Sequence, residues 1–234
     1  MYKKSELPAN SINDTKHNDL RIMCNYKRLR FIRRFNNLPT IQTEDVAQHS
    51  FYTAILAMTM AEEYNYAVQV HNLQVHPFDV ENAWDKVNVE EVTRYALLHD
   101  IEEAFTSDIP WNVKHHSDSV NSAIKRATND KIKAIYRGCS PIIERQASTN
   151  AIAKLGLEGK FVAVADMMEC AWNCHQEEQL GNRYLQGMKL KAIEEIEKME
   201  FSRVLKDTSP LFNSMMRMFK NKVSYIASDE MELE

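Results

Sequence analysis

Glycine and proline are scarce, at 5 and 6 of 234 residues, against roughly 7% and 5% in an ordinary chain. A turn-rich β fold needs many of both, so the shortage points to long helices. Cysteine is limited to Cys24, Cys139, Cys170 and Cys174, with no C-x-x-C pair. That pattern excludes a zinc ribbon and a thioredoxin-type motif, and free thiols in a reducing cytosol are expected. No run approaches the roughly eighteen apolar residues of a membrane span. The opening Met1-Tyr-Lys-Lys-Ser-Glu-Leu-Pro8 lacks the apolar core of a secretory signal. Basic charge is not in excess either: the net charge is −4 and the pI about 6.1, which argues against a general nucleic-acid binder. The expectation is a cytoplasmic protein that engages neither membrane nor nucleic-acid polymer.

What is present is a packed-core composition, 44% hydrophobic, organised around the stretch from Tyr95 to Pro110. Val92, Tyr95, Ala96 and His99 recur at helical spacing and share one face. The apolar run then delivers His99 and Asp100 on adjacent residues. Glu103 lies one helical turn beyond His99, so a continuing helix puts the two on one side. Asp108-Ile-Pro110 is expected to end that helix, because the residue before a proline is pushed out of the helical region. Such groups are costly to bury unless something cationic binds them.

Elsewhere the chain reads as helices. Residues 1–18 form a loose polar arm. A basic amphipathic helix is expected from about Asp19 to Phe35, carrying Ile22, Tyr26, Leu29 and Ile32 on its apolar stripe and Arg34 at its end. A second is expected from Val46 to Glu63, capped by Asp45, with His49, Thr53, Leu56 and Met60 on one face. Residues 65–88 lack clean periodicity and read as a long irregular insertion, with room for a short helical piece, and with surface histidines. Asn88-Val-Glu-Glu91 resembles a capping box for the central helix. Further helices are expected over 118–137, closed by Gly138, and from Pro141 to about Leu155. A strong one is expected over 157–180, ended by Gly181-Asn182, then two more over 183–200 and 209–227. An acidic tail, 229–234, closes the chain. With no repeat, no linker and hardly any strand signal, the expected fold is a single all-α domain over 19–228.

Asp166 stands inside Phe161-Val-Ala-Val-Ala-Asp166-Met-Met, where an aspartate is unfavourable unless paired or liganded. Together His49, His99, Asp100 and Asp166 supply two imidazoles and two carboxylates from three helices. Mixed nitrogen and oxygen ligation suits a divalent metal such as Mn²⁺, Co²⁺, Fe²⁺ or Zn²⁺. Such an ion acidifies water and polarises a phosphoryl oxygen. A neighbouring carboxylate is then wanted to manage the proton, and Glu103 is the candidate general acid or base.

The H…HD…D series resembles the signature of the HD-domain phosphohydrolases. The longer strings are closer still: Arg34-Phe35, Thr43-Glu44-Asp45-Val46-Ala-Gln-His49-Ser50, His99-Asp100-Ile-Glu-Glu103-Ala-Phe-Thr-Ser-Asp108-Ile-Pro110, Val113-Lys114 and Ala165-Asp166. They are similar to the YfbR-type 5′-deoxynucleotidases, a branch that includes the phage dATP triphosphohydrolases of the DatZ group. The resemblance covers roughly residues 20–180 and implies an HD-domain helical bundle. It implies that His49, His99, Asp100 and Asp166 hold a divalent metal (Co²⁺, Mn²⁺, Zn²⁺, Fe²⁺ or Mg²⁺). It also implies that Glu103 activates water, that Asp108 contacts the sugar near its 3′-hydroxyl, and that Arg34 and Lys114 meet phosphate or sugar. Phe35 stands where relatives commonly carry tryptophan, and can stack on a base. Asn37 is polar where an apolar base contact is expected. The implied substrate is a deoxyribonucleotide: either a monophosphate cut to deoxynucleoside and phosphate, or a triphosphate, dATP above all, cut to deoxynucleoside and triphosphate. The alternatives are an HD hydrolase of another phosphoester, cyclic or alarmone, and a non-catalytic HD module that binds a nucleotide or regulates a partner. The family resemblance also implies a homo-oligomer, a dimer or larger.

Overall fold

In the computed structural model, residues 23–75, 82–110, 113, 117–136 and 156–220 are described. The arm 1–18, Lys114, the helix expected from Pro141 to Leu155 and the tail 229–234 lie outside them. Among the described residues the architecture is helical throughout, with one isolated antiparallel bridge, Arg33 to Asp45, and no strand. The helices are α1 (23–29), α2 (Val46–Gln74), α3 (Val89–Leu98), α4 (Glu103–Thr106), α5 (Asp118–Tyr136), α6 (Leu157–Gln179), α7 (Gln186–Lys198), α8 (Phe201–Thr208) and α9 (Pro210–Lys220). The fold is the all-α, single-domain bundle expected.

Helix α6 runs through the middle. Its Phe161, Val164, Ala165, Met168 and Ala171 are wholly buried. They meet α2 and α3 on one side, and α7, α8 and α9 on the other. Small residues let α2 come close, with Ala54, Ala57 and Ala61 all on its buried face. Phe161 sits edge-on to Tyr64 at 5.5 Å and to Phe201 at 4.8 Å, arrangements that aromatic rings favour. A smaller cluster of Leu29, Val46, Ile101, Ala104 and Ile132 ties α1, α4 and α5 to the start of α2.

Several boundaries differ from expectation. The first helix stops at residue 29, because the backbone beyond it pairs with the approach to α2. Arg34 N–H donates to the Glu44 carbonyl at 2.9 Å, and Val46 N–H to that of Ile32 at 3.0 Å. Helix α2 does not stop at Glu63 but continues to Gln74, so the first part of the expected irregular insertion is helical. Tyr64 and Val68 extend its buried stripe. Asn65 donates to the Val87 carbonyl at 3.0 Å and accepts from the Val87 N–H at 2.9 Å. Asn72 does the same for Trp84, at 2.9 and 2.8 Å. His71, expected on the surface, stacks on Trp84 with ring centroids 4.1 Å apart.

The caps match their motifs. Asp45 and Gln48 form a reciprocal capping box, and the Asn88 side chain accepts the Glu91 N–H. Gly181 takes φ +94° just past α6, the left-handed cap that glycine adopts without strain. Beyond it, the expected helix over 183–200 is α7, and α8 is an additional short helix before α9.

Phe161→Ala should cost about 3–5 kcal/mol, the range for truncating a fully buried aromatic. Urea unfolding followed by circular dichroism measures it, and a loss below about 1 kcal/mol would contradict the central place given to this ring.

Candidate metal centre

The first turn of α2, the end of α3 and the middle of α6 meet at one point. Asp45 caps α2 and its carbonyl accepts the His49 N–H at 3.1 Å, which fixes the turn that carries His49. Helix α3 ends at Leu98, with His99 as its C-cap. The chain then turns tightly: Ile101 N–H reaches the Leu98 carbonyl at 3.2 Å, and Glu103 N–H the Asp100 carbonyl at 3.0 Å. The expected unbroken helix through His99 and Glu103 is therefore two helices joined by a tight turn. Glu103 opens α4 one tight turn beyond Asp100. Glu103 is buried at 3% exposure.

His49 Nε2 lies 3.1 Å from His99 Nε2, 3.1 Å from Asp166 Oδ1 and 3.5 Å from Asp100 Oδ2. His99 Nε2 lies 3.2 Å from Asp100 Oδ2 and 3.8 Å from Asp166 Oδ1. Metal bonds of about 2.1 Å at octahedral or tetrahedral angles place neighbouring donor atoms roughly 3.0–3.4 Å apart. His49, His99 and Asp166 bring one donor atom each within 4.8 Å of one another, and Asp100 adds a carboxylate oxygen 3.2 and 3.5 Å from the two imidazole nitrogens. His49 is fully buried, whereas the Asp166 side chain is 40% exposed, so the cluster opens to solvent on the α6 side.

The outer nitrogens are already committed. His99 Nδ1–H donates to the Ala96 carbonyl at 2.7 Å, and His49 Nδ1–H donates to Glu169. Each neutral ring then presents its Nε2 lone pair to the other ring, an arrangement that calls for positive charge between them. The charges around the rings favour the same outcome. Burial and Arg34 pull His49 down, yet Glu169 and the hydrogen bonds to Asp166 and Glu169 carry it up to about 9. Burial also opposes charge on His99, but Asp100 and Asp166 hold it well above the usual imidazole range. Asp100 and Asp166 stay well below the usual carboxylate range, because the two imidazoles outweigh their burial.

Behind the cluster lies a second set of charges. Arg34 Nη1 donates to Glu44 at 2.9 Å and to Glu169 at 2.7 Å. Burial and the adjacent Glu169 push Glu44 up to about 8. Burial disfavours charge on Glu169, but His49 and Arg34 bring it down to about 2. The ring of Phe35 packs with Cys174 and Leu185, and Arg34 sits 5.0 Å above it. Phe35 holds a left-handed φ of 52°, and its N–H donates to Asp108 Oδ2 at 3.1 Å. The Asn36 amide donates to the Asp108 carbonyl at 3.1 Å, so Asp108 ties down the loop after Arg34. Glu44 and Glu169 do not stand out from the sequence as functional. The available signal is Glu169 itself, a carboxylate three residues past Asp166 on the same apolar helix.

Chelator-treated protein should gain roughly 5–10 °C in Tm when Co²⁺ or Mn²⁺ is added at about 100 times its Kd. His49→Ala should abolish that gain in a thermal melt followed by circular dichroism.

A family model described as 5′-deoxynucleotidase YfbR-like matches residues 22–207. The chain is 28% identical over 102 residues to 5′-deoxynucleotidase PM0747 of Pasteurella multocida, spanning 44% of this chain and about half, 45%, of that protein. It is 24% identical over 163 residues to 5′-deoxynucleotidase YfbR of Escherichia coli, covering 66% of this chain and 71% of that one. An HD-domain phosphohydrolase from Listeria innocua superposes with a TM-score of 0.62 at 20% identity, covering 85% of this chain and 90% of that one. The cyanophage S-2L HD phosphohydrolase DatZ, solved with dA and one catalytic Zn²⁺, superposes at 0.56 with 12% identity, covering 83% and 95%. These likenesses establish the HD fold. The family match runs from before Arg34 to beyond Asp166 and takes in every helix of the cluster, and the chain belongs to the YfbR-like 5′-deoxynucleotidase family.

Proposed function

We propose that the protein hydrolyses the 5′-phosphoester of deoxyribonucleotides, with His49, His99, Asp100 and Asp166 holding a divalent metal. The observation that carries this reading is the pair of Nε2 atoms 3.1 Å apart, each ring fixed through its other nitrogen and flanked by two aspartates. When bound, the ion supplies Lewis-acid polarisation of a phosphoryl oxygen and acidifies water. The mixed donor set suits Mn²⁺, Co²⁺, Fe²⁺ or Zn²⁺, and Zn²⁺ is the ion named for the DatZ neighbour.

Glu103 is the proton-handling group in this reading. Its carboxylate sits on the turn that carries Asp100, in a buried position that limits competition from bulk water. It takes the proton from the attacking water and returns it to the departing 5′-oxygen. Asp108 contributes in two ways: Oδ2 holds the Phe35 N–H, and the carboxylate is assigned to the deoxyribose near its 3′-hydroxyl. Arg34 has Nη1 occupied by two carboxylates, so its contact with phosphate or sugar falls to its remaining N–H donors. Phe35, expected to stack on a base, is buried against Cys174 and Leu185 with Arg34 over its ring, so in this reading it supports Arg34 and stacks on the base only if that packing opens. Lys114, outside the described residues, is the second phosphate contact.

The phosphate count depends on how many cations meet the substrate beyond the scissile phosphorus. The curated relatives carry the name 5′-deoxynucleotidase and the DatZ neighbour was solved with dA, which supports a deoxynucleotide substrate of either phosphate count. A homo-oligomer in the cytoplasm is part of the same reading. Among the described residues no helix is long and apolar enough to cross a membrane.

Metal-loaded protein should release inorganic phosphate from dNMPs, or triphosphate from dNTPs, and leave ribonucleotides largely intact. Glu103→Gln should lower kcat by about 10²- to 10⁴-fold, the usual worth of a general acid or base, with metal affinity unchanged. Absence of turnover on every deoxynucleotide with every metal tried would refute the enzyme reading and leave a nucleotide-binding module.

A further inference from the structure

We propose that Glu169 is a positioning residue that fixes His49 as a nitrogen donor, and that Arg34 and Glu44 keep it from becoming a metal ligand itself. The inference rests on the reading of His49 as a ligand. Glu169 lies three residues past Asp166 on α6, so both carboxylates leave the helix on the side facing His49. A carboxylate so placed is a good oxygen donor to a divalent ion and a natural competitor of Asp166.

The hydrogen bonds oppose that role at one of its two oxygens. One oxygen, Glu169 Oε2, accepts from both His49 Nδ1–H and Arg34 Nη1, the latter at 2.7 Å. With two strong donors on it, that oxygen has no free lone pair to turn toward the cluster. Arg34 is itself held, by Glu44 Oε2 at 2.9 Å, by its own N–H on the Glu44 carbonyl, and by the Phe35 ring beneath it. The side chains of Arg34, Glu44 and Glu169 are 13%, 9% and 3% exposed, so water cannot readily replace these partners.

The consequence for His49 is specific. A carboxylate on Nδ1–H locks the tautomer with the Nε2 lone pair turned toward Asp166 and His99, and makes that lone pair a stronger donor. On its Nδ1, His99 has the Ala96 carbonyl, which is neutral. The two imidazoles are therefore unequal ligands, His49 being the stronger one because Glu169 stands behind it.

Co²⁺ affinity, measured by competition with a chromogenic chelator on variants whose circular dichroism matches the parent, tests this. Glu169→Ala should weaken Co²⁺ binding by about 10- to 100-fold. Glu169→Gln keeps an acceptor and the volume but loses the charge, and should fall between Ala and parent. If His49→Ala keeps the parent affinity, the ligand reading itself fails. If His49→Ala abolishes binding while both Glu169 variants stay within about twofold of the parent, the positioning role alone is overturned. Should the alanine variant not fold, Glu169→Gln decides by the same threshold.

Discussion

Two imidazole nitrogens 3.1 Å apart, each ring with its other nitrogen bonded elsewhere, demand a positive charge between them. The fold is arranged to make and keep that demand. Helix α6 carries fully buried apolar residues before and after Asp166, among them Phe161, Val164 and Met168, which anchor it in the core. Helix α2 brings His49 against it through a face of alanines. Hydrophobic burial elsewhere in the bundle offsets the cost of taking these polar groups out of water.

The stop at Leu98 matters as much as the packing. Helix α3 ends at Leu98 and the chain turns through Ile101 and Glu103, and the neighbouring side chains of His99 and Asp100 meet with Nε2 and Oδ2 3.2 Å apart. The same turn buries Ile101 and Ala104 in the small cluster with Leu29, Val46 and Ile132. The segment carrying Asp100 and Glu103 is thus anchored by its apolar residues and presents its polar ones inward.

Much of this was legible in the sequence. Histidines and aspartates on apolar helical stripes stand out, because burying them costs energy that only a partner offsets. That logic picked out His49, His99, Asp100 and Asp166, and helical periodicity found most of the bundle. It went astray where side chains serve as backbone partners. Asn65 and Asn72 look like loop residues by propensity, yet they sit on α2 and complete the hydrogen bonds of the chain around Val87 and Trp84. The break between α3 and α4 also escaped it, since spacing arithmetic assumes an unbroken helix. The ends of α1 and α3 are set by tertiary backbone pairing and a tight turn, which leave no local signature.

The charges behind the cluster explain why Arg34 sits so deep. A guanidinium with a side-chain exposure of 13% is costly to bury unless several acceptors meet it. Glu44 and Glu169 meet it from two different segments, and Glu169 passes the interaction on to His49. The tie from Asp108 to the Phe35 N–H holds a residue that is not glycine in a left-handed conformation, a strain of order 1–3 kcal/mol that persists only where surrounding contacts require it. That conformation turns the chain sharply after Arg34, so that the guanidinium points inward while Phe35 covers Cys174 and Leu185. One strained residue therefore links Asp108 to the donor side of His49. A change at Asp108 should reach the four-residue cluster through Phe35 and Arg34.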